Sequence, residues 1–126
     1  MQGKNPVGWF EIYVQDMERA RRFYESVLKV KLDKLDSPEV EMRAFPMTQD
    51  GWGAAGALVK MEGFPTGGNN NGVLVYFTSE DCAVEEARVK KHGGRIQRPK
   101  SGIGEHGFIT LAFDTEGNMF GLHSRK

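Results

Sequence analysis

Between Gly8 and Lys29 the chain reads GWFEIYVQDMERARRFYESVLK, and the spacing of its apolar positions changes once. Phe10, Ile12 and Val14 alternate with Trp9, Glu11 and Tyr13, which predicts a strand whose two faces meet different surroundings. Beyond Asp16 the step lengthens to three and four. Met17, Ala20, Phe23 or Tyr24, Val27 and Leu28 then form one apolar stripe of an amphipathic helix. Asp16 stands where the period changes, and its carboxylate is placed to accept free amide hydrogens of the first helical turn.

Further strands follow. Val30 to Leu35 alternates, Asp36-Ser37-Pro38 is a turn, and Val40, Met42 and Ala44 make a third strand. A glycine-rich loop from Gln49 to Gly56 carries Trp52 and leads to a fourth strand, Ala57 to Met61. Phe64 to Gly72 (FPTGGNNNG) cannot hold a regular element and reads as a flexible crossover. Val73, Val75 and Phe77 then alternate with Leu74 and Tyr76. Ser79 is the expected N-cap of a helix from Glu80 to His92, stopped by Gly93-Gly94. Arg95 to Arg98, Gly107 to Phe113 and Asn118 to His123 read as strands, the last two joined by the turn Asp114 to Gly117.

The order is strand, helix, three strands, twice over. At a shift of 63 residues Phe10, Ile12 and Val14 fall on Val73, Val75 and Phe77, and the cap Asp16 falls on Ser79. This predicts an α+β chain, a single domain of tandem βαβββ modules: module one over 6–62, a linker over 63–71 and module two over 72–126.

The ordered set Glu11-Ile-Tyr-Val-Gln-Asp16, Arg19-Ala20, Phe23-Tyr24, Gly93-Gly94 and Asp114-Thr-Glu-Gly-Asn-Met-Phe-Gly-Leu-His123 resembles the vicinal oxygen chelate superfamily. Its members include glyoxalase I, bleomycin-resistance and fosfomycin-resistance proteins and extradiol dioxygenases. The resemblance implies a curved sheet enclosing a cleft, and commonly a homodimer. In metal-dependent members four donors (His, Glu, sometimes Gln) come from the first and last strands of each module. Here the matching positions are Trp9, Gly72 and Gly121, and the strand Ala57 to Met61 offers no carboxylate or imidazole. The expectation is a member with no metal at the family site and no cofactor.

If Trp9 points into the cleft, period 2 sends Glu11 and Tyr13 there too, with Leu74, Tyr76, Met119, Gly121 and His123 from other strands. Trp52 could fold over the mouth. Such a pocket suits a planar or apolar small molecule fixed by a few polar groups. Each candidate has a plainer alternative. Trp9 could fill a core, Glu11 could be solvated or ion-paired, His123 could be exposed near the C-terminus, and Trp52 could anchor its loop. His106 beside Glu105 is a poor metal pair, because adjacent side chains diverge. His92 is placed to serve a helix C-terminus.

Composition narrows the partners. Seventeen basic and seventeen acidic residues balance, so no net field favours nucleic acid or an anionic membrane. No apolar run approaches the ~20 residues of a membrane span. MQGKNPVG lacks the hydrophobic core of a signal peptide, and the expectation is a cytoplasmic protein. The single cysteine, Cys82, excludes an internal disulfide framework and reads as a half-buried small residue. The leading functional expectation is a binding protein that holds a small organic molecule in its cleft. The alternative is a glyoxalase I-like lyase or isomerase, with Glu11 as base and His123 as acid. A non-binding interaction module, its cleft filled by Trp9, Trp52, Tyr13 and Tyr76, ranks third, because sixteen glycines point to room near the backbone.

Overall fold

The computed structural model describes residues 5–37, 40–48, 53–63 and 72–126. In order these hold β1 (Val7–Tyr13), α1 (Met17–Leu28), β2 (Asp33–Leu35), β3 (Glu41–Ala44), β4 (Ala55–Lys60), β5 (Val73–Thr78), α2 (Cys82–Lys91), β6 (Arg95–Gly102), β7 (Phe108–Phe113) and β8 (Met119–Ser124). The chain divides into two units, Trp9–Leu74 and Val75–Lys126 with Met1–Gly8. The first carries the strand run β2-β3-β4-β1, the second β5-β8-β7-β6. In each, a three-strand meander brings the last strand back parallel to the first: β4 beside β1, β8 beside β5. The remaining pairs are antiparallel. The chain is α+β, two copies of βαβββ.

In the unit Trp9–Leu74, Asp16 caps α1 as its position implies, its Oδ1 accepting the Arg19 amide hydrogen at 3.0 Å. Met17, Leu32 and Leu58 form the buried core, with Ile12, Val14, Ala20, Tyr24, Val30 and Phe45 packed on it. Phe10 stacks against Phe45 at 5.5 Å, so the Phe10, Ile12 and Val14 face does meet the helix. The helical stripe is narrower than the sequence implies. Tyr24 takes the inward position, edge-on to Phe45 at 5.7 Å, and this turns Phe23 outward. Val27 and Leu28 are also more than half exposed, because the helix ends one residue later at Lys29, whose left-handed backbone (φ 56°) turns the chain away. The second strand is shorter than its alternation predicts. Glu25 Oε2 accepts the Leu32 amide hydrogen at 2.9 Å, so Val30 and Leu32 enter the core from irregular chain and β2 begins at Asp33.

In the unit Val75–Lys126, the cap of α2 is Asp81, whose Oδ1 accepts from the Ala83 amide at 3.0 Å. Ser79, the expected cap, sits one step earlier: its hydroxyl accepts from the Asp81 amide at 3.1 Å. Asp16 and Asp81 are therefore the matching caps, which sets the repeat at 65 residues rather than 63. Glu86 Oε1 docks α2 on the sheet by accepting the Lys100 amide at 2.7 Å and the Thr110 hydroxyl at 2.9 Å. Cys82 is fully buried, and its amide is held by Ser124 Oγ at 3.1 Å. β6 runs past Arg98 to Gly102, with register shifts on both sides of Arg98 that accommodate Pro99 at the end of the strand run. The Asp114–Gly117 turn forms as expected, with Gly117 at φ 87°.

Candidate functional site

Strand register decides which side chains share a face. Leu58 lies in the core under α1, so its register partners Ile12 and Arg43 point the same way. Their neighbours in the alternation point to the opposite face: Trp9, Glu11 and Tyr13 on β1, Ala55, Ala57 and Val59 on β4, and Met42 and Ala44 on β3. One row across that face reads Glu11, Ala57, Ala44, Asp33.

Glu11 is the centre of a hydrogen-bonded group. The Trp9 indole donates from Nε1 to Glu11 Oε2 at 3.0 Å, and the Tyr13 hydroxyl donates to Oε1 at 2.6 Å. Each carboxylate oxygen thus receives one neutral donor from a residue two positions away on the same strand. Trp9 and Glu11 are half-buried and Tyr13 is buried.

The other unit carries Tyr76 and His123. Thr110 bonds to α2 and pairs with Leu122, and Ser124 also bonds to α2, so Met119, Gly121 and His123 occupy the face away from that helix. Tyr76 is the register partner of Gly121, and its ring lies across the glycine: a Cβ on residue 121 would stand 2.3 Å from the ring. His123 is the partner of Thr78 on the same face. Its Nε2 lies 2.6 Å from the His106 carbonyl oxygen, which only accepts, so Nε2 carries the proton and donates.

Glu105 and His106 sit in an exposed short 3₁₀ turn, Gly104–His106. His92 is the C-cap of α2, its amide bonding to the Arg88 and Val89 carbonyls. Trp52 and the crossover 64–71 lie outside the described residues. Among the described residues no three His, Cys, Asp or Glu side chains gather as a metal-binding group. Asp33, Ala44 and Ala57 are face residues that sequence reasoning missed. Only the register between strands distant in the chain reveals them.

The profile of the Glyoxalase/Bleomycin resistance protein/Dioxygenase superfamily matches residues 7–122. The chain belongs to this superfamily. Its fold is similar to that of a Streptomyces coelicolor methylmalonyl-CoA epimerase variant solved with 2-nitronate-propionyl-CoA, at 17% identity and TM-score 0.65 over 95% of this chain and 94% of that one. Methylmalonyl-CoA epimerase from Mycobacterium tuberculosis is similar at 14% identity and TM-score 0.66, over 96% of this chain and 88% of that one. A hypothetical protein from Bacillus halodurans reaches TM-score 0.68 at 14% identity, over 95% and 94%. Identities this low carry the superfamily fold and no reaction. No curated protein matches the sequence. No helix among the described residues is long and apolar enough to cross a membrane.

Proposed function

We propose that this superfamily member is a metal-independent binding protein that holds a small organic molecule against the face bearing Trp9, Glu11 and Tyr13. The observation that carries the reading is the Glu11 carboxylate fixed from both sides by Trp9 and Tyr13. An oriented acceptor framed by two aromatic side chains is what a small-molecule site requires. Trp52 is proposed as a further contact of this unit, and Tyr76 and His123 are the proposed ligand-binding residues of the other unit, taken by itself. A homodimer and a cytoplasmic setting complete the proposal.

The divalent cation that the superfamily resemblance implies does not fit the side chains at its positions. On β1 the donor position holds an indole, Trp9. On β8 it holds Gly121, under the Tyr76 ring. The strand β4 turns Ala55, Ala57 and Val59 to the face that bears Trp9. At the start of β5, Gly72 and Leu74 are equally without a donor. Hard or borderline divalent ions need several oxygen or nitrogen ligands at close range. Thermal unfolding of the chelator-treated protein with added Zn²⁺, Ni²⁺ or Mn²⁺ is expected to leave Tm unchanged. A chelator-reversible rise in Tm that Glu11→Gln removes would contradict the proposal.

A second reading, a lyase or isomerase, draws on the same two polar groups. Glu11 would be the general base, held in one orientation, and His123 the acid. It also accords with solved neighbours named methylmalonyl-CoA epimerase, though the likeness is one of fold. Under this reading Glu11→Gln abolishes turnover and leaves substrate affinity within about tenfold, because only a proton-transfer group is lost. Full activity in that variant would eliminate it.

A further inference from the structure

The Glu11 carboxylate keeps two acceptor directions after its aromatic neighbours are counted. A carboxylate offers about four lone-pair directions, two on each oxygen. Trp9 Nε1 takes one on Oε2 and the Tyr13 hydroxyl takes one on Oε1. The remainder is one acceptor direction per oxygen, the arrangement that two parallel N–H groups of an amidinium or guanidinium satisfy together.

Charge is unevenly shared across the same sheet. Among the described strand residues of this unit, Lys34, Arg43 and Lys60 share the α1 side with one acid, Glu41, which pairs with Lys60: Lys34 pairs with Arg43, Arg43 with the core residue Leu58, and Lys60 follows Leu58 by two, so this side is basic on balance. Arg43 is near enough to Glu18, and Lys60 to Asp16, to favour those helix carboxylates. The face with Glu11 carries Glu11 and Asp33 as its charged strand residues, separated in one row by Ala57 and Ala44. Among the described residues no Lys, Arg or His makes an ion pair with Glu11. Both hydrogen-bond partners of Glu11 are neutral, so they orient the group without balancing its charge.

We infer that the ligand of this face is a planar organic cation of the amidine or guanidine class, clamped in two-point fashion by Glu11 beside the Trp9 indole. The inference rests on the binding reading above and names the chemistry of its ligand. Trp9 supplies an aromatic surface next to the clamp, which favours a flat cation over a compact ammonium. Tyr13 acts as a positioning residue, holding Oε1.

The test is a set of matched probes, benzamidine against benzamide and 2-naphthamidine against 2-naphthamide, titrated into the full chain. The readout is the Trp9 indole Nε1–H resonance, assigned by its loss in Trp9→Phe. Each amidine is expected to shift that resonance and to bind about tenfold or more tightly than its amide, since a two-point charge-assisted contact replaces a neutral one. Glu11→Gln is expected to remove the preference and bring the two probes together. Tyr13→Phe, which keeps the carboxylate, is expected to retain it, and a Tm of Glu11→Gln close to the parent's separates loss of the clamp from a folding defect. Equal binding of amidine and amide overturns the inference and leaves the binding face intact. No shift of the resonance with any of the four probes overturns the inference and removes support from the binding reading as well.

Discussion

Gly121 has no side chain where the superfamily resemblance implies a metal-binding one. The resemblance places a glutamate there, and the structure lays the Tyr76 ring over the bare backbone instead, where a Cβ would come within 2.3 Å of the ring. An aromatic ring over a cross-strand glycine covers backbone that would otherwise be unpacked. Adding a methyl group at residue 121 therefore means displacing the ring. Gly121→Ala is expected to lower stability by about 1–3 kcal/mol in urea unfolding, as overpacking does. In a Tyr76→Ala background the same substitution is expected to cost much less. Equal costs in both backgrounds would show that the ring does not define position 121. At this scale the sequence was informative about identity and silent about contact. Trp9, Glu11 and Tyr13 could be read as sharing a face from period 2, but the two hydrogen bonds that join them depend on side-chain torsions.

At the scale of elements, the helix caps show what local pattern resolves. Asp16 was legible because only one cap-forming residue stands at the change of period. Ser79 and Asp81 both qualify as caps, and an alternating strand looks the same when shifted by two, so local pattern does not separate a repeat of 63 from the 65 that the Asp81 cap sets. Register was illegible for a related reason. The row Glu11, Ala57, Ala44, Asp33 joins strands far apart in the chain, and nothing local encodes which residues meet. Asp81 makes a checkable prediction. The Lys100 ammonium at 2.8 Å, and then the Ala83 amide, hold its carboxyl below its ordinary 3.8. A carboxyl held low in the folded protein stabilises it above the unfolded value, and that contribution is lost as pH falls through the lower folded value. Acidifying from about pH 5 to about pH 3 should lower Tm less in Asp81→Asn than in the parent, because Asn keeps the cap and loses the charge. Parallel Tm profiles for the two proteins would contradict the assignment.

For the whole molecule, two copies of βαβββ were legible from element order alone, since each helix is bracketed by a strand before and a meander after, and the superfamily profile spans 7–122. Function was less legible, because the superfamily fold is shared by unrelated chemistries and the distinguishing information lies in a few face residues. Those residues here are an indole, a framed carboxylate, small alanines and a glycine under a tyrosine ring. Under the proposed function such residues meet an organic ligand rather than a metal cation. Native mass spectrometry of the purified chain, with elemental analysis of the same sample, addresses that claim directly. The account predicts a metal-free protein that carries or takes up a small organic molecule, with Glu11→Gln losing it. A stoichiometric divalent ion that survives purification and is lost in Glu11→Gln or His123→Ala would contradict the account.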